Sequence, residues 1–371
     1  MGRSVQLLLR IGSVVTAPAP QALMDALQSV QVTSSAGRRS GFQLTFAVSK
    51  RSVITETLLP SGLLDPPARV IIVAVVGGTT EVLMDGVISR HDLTPSDTPG
   101  ASTLTVTGED LSLLMDLRTE HVCYPAMPHN VRATLVLLKY ALYGVAPLVI
   151  PPVIPSISSP IDQIPIQSGT DLAYLDALAE EVGYTFYLVP GPVPGASIGY
   201  WGPEIRVGAP QPALTTNSGA SDNVESLSFA FDGMARTQYT VRVTEPNTKL
   251  GIDIPIPSLS LLKPPLALRP AVALRQEPIV KITDRSITDA MLRAVSVTSK
   301  SADAVTGQGK LDVLRYGHVL NSRGIVGVRG AGLAYDGLYF VKSVTHDIKR
   351  GEYKQSFSLA RDGFVPFFDR V

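Results

Sequence analysis

Charged residues are scarce in this chain. Asp, Glu, Lys and Arg make up 17% of its 371 residues, while hydrophobic residues make up 45%. A typical globular protein is about 25% charged. The 32 basic and 32 acidic residues cancel, so the formal net charge is zero. Because phosphate binding needs a basic face, we do not expect nucleic acid to be the main partner. The weakly charged surface favours burial in an assembly, with a plain monomer as the alternative.

Cysteine and long apolar runs are also scarce. Cys123 is the single cysteine, so no disulfide can form within the chain, which fits a reducing compartment such as the cytosol. No run reaches the roughly 18 apolar residues of a membrane span. The best stretch, residues 135–150, contains Lys139 and Pro147. Near the N-terminus, Arg10 leaves too short an apolar core for a signal peptide. We therefore expect a soluble protein, and we do not expect the N-terminal segment to direct its export.

Reactive motifs are missing as well. The sequence has no HExxH, paired CxxC, Walker or GxSxG motif. His121 and Cys123 could share one face of a strand, but the prolines nearby favour a loop with a buried cysteine beside a surface histidine. Asp85, His91 and Asp92 are conceivable metal ligands, yet their irregular spacing favours a solvated strand end. We expect no catalytic residue, no metal site and no cofactor.

Short strand patterns are what the sequence has in abundance. Residues 42–49 alternate apolar and polar side chains, as a half-buried strand does. Residues 69–76 (RVIIVAVV) are apolar on both faces, which is typical of a barrel strand or a subunit contact. This spacing predicts a barrel or sandwich that ends near residue 107. Further strands are predicted at residues 4–11, 29–33, 81–89, 103–107, 184–189, 197–201, 225–231 and 238–243.

Four stretches predict helices. The clearest covers residues 170–182, with Ser168 or Thr170 as its N-cap and Gly183 as its stop. A second covers residues 130–143, and the others cover residues 108–116 and 286–300. The second helix has its apolar residues at spacings of three and four: Val131, Leu135, Leu138 and Leu142.

Two proline-rich stretches and one aromatic group remain. Residues 147–165 hold six prolines and are predicted to form an extended strap. Residues 246–278 are predicted to be an ordered arm on a neighbouring subunit, with a flexible loop as the alternative. The aromatic group could be a carbohydrate-binding platform, but its spacing favours a small core against the helix at residues 170–182. The aromatic residues are Tyr184, Phe186, Tyr187, Tyr200 and Trp201.

The last pattern is a hairpin at residues 336–363, DGLYFVKSVTHDIKRGEYKQSFSLARDG, with its turn at Gly351. His346 has Asp347 on the opposite strand face and hence no obvious reactive partner. This hairpin resembles the closing hairpin of baseplate hub proteins of contractile tails. That family includes phage tail hubs of the late-control-protein-D type, their relatives in extracellular contractile injection systems, and the N-terminal part of type VI secretion spike proteins.

Two other segments resemble the same family in the same order. GFQLTFAVS at residues 41–49, together with residues 84–92 and 105–116, resembles the first hub barrel and its exit helix. GTDLAYLDALAEEVGYTFYLV at residues 169–189 resembles the family's helix-then-strand module. The resemblance implies a mainly β fold with a few helices (α+β): two tube-like β-barrel domains, a small helix–strand domain and proline-rich arms.

The same resemblance divides the chain into domains. The expected divisions are a first barrel (1–107), a helical segment with the strap (108–165), the helix–strand domain (166–215), a split second barrel (216–245 and 279–363), the proline-rich arm (246–278) and a C-terminal tail (364–371).

The function implied by the resemblance is structural and not enzymatic. Three subunits with two barrels each would form a ring that adapts a six-fold inner tube to a three-fold spike. The expected partners are two further copies, an inner tube or tube-initiator protein and other baseplate components, with a LysM-containing protein among the candidates. Because the chain ends at Val371, the spike is expected to be a separate protein. We expect assembly in the cytoplasm and incorporation into a phage tail or a contractile injection particle.

Candidate assembly contacts come from two apolar segments. The strand at residues 69–76 suits a ring contact, and the apolar tail could dock on the spike or fold back on its own barrel. The alternative functions are a carbohydrate-binding or adhesin β-protein and a tail-associated cell-wall hydrolase. The candidate interface residues are Val70, Ile72, Val73, Val75, Phe364, Phe367 and Phe368.

Overall fold

The computed structural model describes residues 5–98, 101–152, 164–244, 251–255, 263–278 and 303–366. Strands dominate, so the predicted mainly β class with a few helices is confirmed. The strands are β1 (Val5–Gly12), β2 (Thr16–Pro18), β3 (Leu27–Ser35), β4 (Gly41–Val48), β5 (Arg69–Val76), β6 (Thr79–Thr94), β7 (Ser102–Asp110), β8 (Thr119–Cys123), β9 (Val145–Val149), β10 (Ile166–Thr170), β11 (Thr185–Pro190), β12 (Ser197–Gly202), β13 (Gln211–Thr215), β14 (Ser226–Phe231), β15 (Thr237–Thr244), β16 (Gly251–Pro255), β17 (Ala267–Pro270), β18 (Arg275–Pro278), β19 (Val305–Asp312), β20 (Ile325–Arg329), β21 (Gly337–Lys349), β22 (Glu352–Arg361) and β23 (Gly363–Pro366).

The helices are short apart from two. Thr170 caps α4 as predicted: its Oγ1 accepts a hydrogen bond from the backbone N–H of Ala173 at 3.2 Å, and Gly183 ends the helix at φ +75°. The helix predicted at residues 108–116 shrinks to α2. The helix predicted at residues 286–300 lies outside the described residues. The helices are α1 (Gln21–Ala26), α2 (Ser112–Met115), α3 (His129–Leu138), α4 (Asp171–Val182) and α5 (Val313–Tyr316).

One thirteen-stranded sheet contains strands from both halves of the chain. Its order is β14-β19-β22-β21-β3-β4-β7-β6-β5-β1-β2, and β20 and β13 branch from β21. The closing hairpin forms as predicted, and its first strand, β21, pairs antiparallel with β3. In the part of the chain that the structure describes, the sheets are not closed, so the two halves are open sheets joined edge to edge. The domain boundaries stay a prediction.

The pairing order of five strands occurs twice. In the first half β3, β4, β7, β6 and β5 are neighbours in that order. In the second half β14, β19, β22, β21 and β20 repeat the order, and the strands occupy the same places along the chain. In chain order a helical turn precedes the third of the five strands in each half, at Ile54–Leu58 before β5 and at α5 before β20. The sixth strands differ, because β1 pairs antiparallel with β5 whereas β13 pairs parallel with β20.

Two large hydrophobic cores support these sheets, and a third, small cluster contains Leu266, Ile325 and Phe340. The larger core lies under the thirteen-stranded sheet and takes residues from both halves. The smaller core lies between α3, α4 and a sheet of the order β11-β12-β9. The first proline-rich stretch contributes β9 to the edge of that sheet, where the missing N–H of Pro147 is tolerated. The second contributes β17, which pairs with β23, and β18, which pairs with β15.

Candidate assembly site

The apolar strand predicted as a subunit contact is β5, and it lies inside the chain's own core. β1 pairs along one of its edges and β6 along the other. Val70, Ile72 and Val73 are buried, and Val75 is partly exposed. Burial on both faces within one chain accounts for the apolar character of this strand. A role for these four residues in a subunit interface stays a prediction.

The described end of the apolar tail packs on the second half. The Phe364 ring lies 4.4 Å from that of Phe231 and 5.5 Å from that of Tyr335, measured between ring centroids. β23, which carries Phe364, pairs with β17. Phe367 and Phe368 lie outside the described residues. The expectation that this tail docks on a spike stays a prediction.

An apolar stripe on α3 faces outward. Val131, Leu135 and Leu138 are 39%, 40% and 50% exposed, and Leu142 in the following turn is 74% exposed. The residues of α3 that enter the smaller core lie on the opposite side: Ala133, Val136 and Leu137. Sequence spacing found the stripe but not its direction.

Several strand edges of the main sheet have no strand partner within the described residues, including those of β2 and β13, and two others carry exposed apolar side chains. One is the outer edge of β14, which pairs only with β19. The other belongs to the second part of β6: residues 89–94 lie beyond the pairing with β5 and pair only with β7. Each edge carries an exposed apolar side chain, Phe231 at 43% and Leu93 at 48%. Unpaired edges are ready templates for another strand. Sequence reasoning missed both, because only the pairing order reveals an edge.

A buried ion pair joins the first half to the helix–strand part. Arg69 donates to both carboxylate oxygens of Asp85 at 2.7 and 2.6 Å, and both side chains are almost fully buried. The same guanidinium donates to the carbonyl of Tyr143 at 2.7 Å, and Ser197 donates to Asp85 at 2.9 Å. Asp85, one of the three conceivable metal ligands, is thus committed to a structural pair.

A second arginine joins three parts of the molecule. Arg323 lies between β19 and β20 and donates to the carbonyl of Ser35 in β3 at 2.5 Å. Its guanidinium lies 4.3 Å from the centre of the Tyr187 ring in β11. Burial lowers the pKa of Arg323. The first half, the second half and the helix–strand part therefore meet at this one side chain.

A cavity of about 380 Å³ opens beside Arg323. Burial raises the pKa of Asp110 and of Glu81, two carboxyl groups in its wall. His346 also lines it, and burial lowers the pKa of this imidazole to about 4. Its Nδ1 shares a 2.8 Å hydrogen bond with the hydroxyl of Tyr353. A neutral imidazole that is hydrogen-bonded to a core tyrosine is better suited to a structural role than to proton transfer.

The candidate catalytic and metal residues do not converge. His121 and Cys123 lie in β8, not in a loop, and both are exposed, so the predicted buried cysteine is wrong. His91 faces Asp65 at 3.6 Å, and Asp92 accepts from Arg90 at 2.6 Å. Among the described residues, no group of three His, Cys, Asp or Glu side chains is placed to hold a metal.

The aromatic group forms a core, as its spacing favours. Trp201 is fully buried and donates from its indole nitrogen to the carbonyl of Leu175 in α4 at 3.2 Å. Tyr184 packs edge-on against it, with ring centroids 5.1 Å apart. A carbohydrate platform needs an exposed ring face, which Trp201 does not offer.

Comparison with solved structures finds this architecture in phage tails. A tail protein from Neisseria meningitidis MC58 matches with a TM-score of 0.62 at 15% sequence identity, over 98% of each chain. The 43 kDa tail protein of prophage MuSo2 from Shewanella oneidensis matches with a TM-score of 0.63 at 14% identity, over 97% of this chain and 100% of that chain. This chain has the fold of phage tail proteins. The resemblance read from its hairpin and its helix–strand module is confirmed at the level of the fold.

The tail-protein fold extends to secretion machinery. The E. coli c3393 protein, a type VI secretion component described as similar to the T4 bacteriophage tail proteins gp27 and gp5, matches with a TM-score of 0.55 at 11% identity, over 93% of this chain and 74% of that chain. No protein-family model and no curated protein match the sequence. No helix within the described ranges is both long and apolar enough to cross a membrane.

Proposed function

We propose that this chain is the structural baseplate hub of a contractile tail-like machine. Three copies would form a ring that adapts a six-fold inner tube to a three-fold spike. The observation that carries the proposal is the repeated strand order within one chain, with the two repeats joined edge to edge by β21 and β3. Three such chains present six similar units to a tube while the ring keeps three-fold symmetry for a spike.

The buried arginines support a mechanical role. An adaptor must hold its units at fixed angles, and a side chain that bonds several parts of the chain restricts their relative motion. Arg69 bonds to four other segments, at Val14, Asp85, Tyr143 and Gly195, and Arg323 contacts two, at Ser35 and Tyr187. Arg206 adds a third joint, because it donates to Asp303 at 2.6 Å and lies over the Phe340 ring. Because these side chains are buried, separating an arginine from its partner would leave an unpaired buried charge, which costs more than breaking a surface ion pair.

The proposed partners are two further copies of the chain, a spike protein, an inner tube or tube-initiator protein, and other baseplate components, with a LysM-containing protein among the candidates. The tail and type VI secretion proteins that share the fold support a place in such a particle. Assembly is proposed to occur in the cytoplasm, before the phage tail or injection particle is complete. No catalytic step is part of the proposal.

The oligomer tests the proposal directly. Multi-angle light scattering of the purified chain should give three times 39.5 kDa, about 118 kDa. Electron micrographs should show three-fold rings, and the rings should bind tube and spike proteins from the same source. An unrelated trimer of similar size is the control for the binding step. A particle that stays at 39.5 kDa and binds neither protein would refute the hub role.

A further inference from the structure

The joint inside the chain defines a register. β21 pairs antiparallel with β3, and Thr345 lies opposite Thr33, with their hydroxyls 3.1 Å apart. His346 lies opposite Val32 and Ser343 opposite Ser35. This joint connects the fourth-placed strand of the second half to the first-placed strand of the first half.

The two halves can be aligned residue by residue through their β-bulges. β6 has its bulge against β7 between Ile88 and Arg90, and β21 has its bulge against β22 between Val341 and Ser343. Bulges are positional features of a fold, so Ser343 corresponds to Arg90. The pairing with the next strand supports this alignment. In each half, the residue one place before the bulge pairs with the first residue of that next strand, which is β5 for β6 and β20 for β21.

The same procedure aligns β14 with β3. The paired residues lead from β22 through β19 to β14 in the second half, and from β7 through β4 to β3 in the first half. On this path Phe229 of β14 corresponds to Val32 of β3. β6 has the same position in the first half as β21 has in the second half. β14 has the same position in the second half as β3 has in the first half. Both β6 and β14 have an edge without a strand partner in the described residues.

We propose that residues 89–94 of one copy pair antiparallel with β14 of the next copy, in the register of the internal joint. The identification of the partner as a second copy rests on the proposed ring. Transferring the register places Asp92 opposite Ala230, Leu93 opposite Phe229, and Arg90 opposite Asp232.

The transferred register follows from backbone pairing alone, and it brings side chains of complementary chemistry together. Arg90, whose side chain is 71% exposed, meets a carboxylate, Asp232. The exposed Leu93 meets the half-buried Phe229, and the exposed Phe231 lies opposite His91, so the hydrophobic core continues across the contact.

The backbone is also ready for this pairing. Asp232 donates its N–H to Ala304 at 2.8 Å, so the even-numbered residues of β14 bond to β19. In an antiparallel strand the alternate residues point the other way, which directs the N–H and C=O groups of Phe229 and Phe231 at the free edge. The two surfaces of the contact are different, so the contact is head-to-tail, which is the type of contact that a three-membered ring requires.

Cysteine cross-linking tests the register. In a Cys123→Ser background, a chain carrying both Asp92→Cys and Ala230→Cys should form covalent trimers under mild oxidation. Asp92 and Ala230 correspond to the pair Thr345 and Thr33, whose side chains approach closely. Either substitution alone should give no cross-link, since a head-to-tail contact never brings two identical positions together. The out-of-register pair Asp92→Cys with Ser226→Cys is the matched control and should stay monomeric on a denaturing gel.

Charge reversal gives a second readout. Arg90→Glu and Asp232→Arg should each shift the trimer–monomer midpoint to at least tenfold higher concentration, and the double variant should restore it. Arg51→Glu, at an exposed position away from both edges, should leave it unchanged. Trimers that form without the Asp92–Ala230 cross-link would overturn this pairing and leave the hub role standing. A chain that is monomeric at about 100 μM and gives no cross-link would overturn both.

Discussion

Buried arginines hold this molecule together at the scale of single residues. Arg361 is fully buried at the end of the closing hairpin, and its guanidinium donates to the carbonyls of Gly363, Asp336 and Ala334. It also lies 4.5 Å from the centre of the Tyr339 ring. Nothing in the sequence marked Arg361, Arg323 or Arg69, because their partners come from distant segments. The polar contacts of the core were therefore beyond sequence reasoning, whereas its apolar members were not.

His346 is the residue that should make stability depend on pH. Burial lowers the pKa of its imidazole from 6.5 to about 4 in the folded chain. The folded state therefore favours the neutral form, and this contribution is complete above pH 6.5 and is lost as the pH falls towards 4. A shift of this size corresponds to about 3 kcal/mol of unfolding free energy.

The control for this prediction is His346→Gln, which keeps a hydrogen-bonding side chain but cannot titrate. Urea denaturation at pH 7 and pH 4.5 should show a smaller loss of stability in the variant than in the natural chain. Equal losses in the two proteins would contradict the role of His346, because all other titrating groups are shared.

At the scale of elements, strands and helix ends were predictable where local chemistry decides them. The bounds of β5 match the predicted residues 69–76, and α4 begins and ends at its predicted cap and glycine. The face of α3 was not predictable, because apolar residues occur on two of its sides. Leu137 is buried because β9 and β12 lie against its side of the helix, where it packs near Val145 and Gly199.

Two neighbouring leucines of α3 test which side is buried. Leu137→Ala should lower the free energy of unfolding by about 2–5 kcal/mol, since it leaves a cavity in the smaller core. Leu138→Ala should change it by less than about 0.5 kcal/mol, because Leu138 is half exposed. Chemical denaturation of both variants measures the difference. A larger loss from Leu138→Ala would mean that the outward stripe is packed in the isolated chain.

At the scale of the whole molecule, the family resemblance implied two barrels, whereas the described residues form open sheets that are joined into one thirteen-stranded sheet. The joint between β21 and β3 connects residues more than 300 positions apart in sequence, such as Asp347 and Gln31, which share a 2.9 Å hydrogen bond. Pairing over such a separation follows from the tertiary fold and leaves no local pattern.

This joint should make the two halves unfold together. Scanning calorimetry of the natural chain should show one transition for both halves, with equal calorimetric and van't Hoff enthalpies. Ser34→Pro should weaken the coupling, because Ser34 pairs with β21 beyond the end of the pairing between β3 and β4. The variant should then show a broadened or split transition. Two resolved transitions in the natural chain would contradict the prediction.

The joint between β21 and β3 also has a consequence for assembly kinetics. A ring of six separate units would need five encounters in solution, each with its own loss of translational freedom. With two units on one chain, every second joint forms during folding, at the high effective concentration that covalent linkage provides. Assembly of the proposed ring then takes two encounters, and its rate falls far less steeply on dilution. A part needed in few copies per particle can thus assemble while it is still scarce.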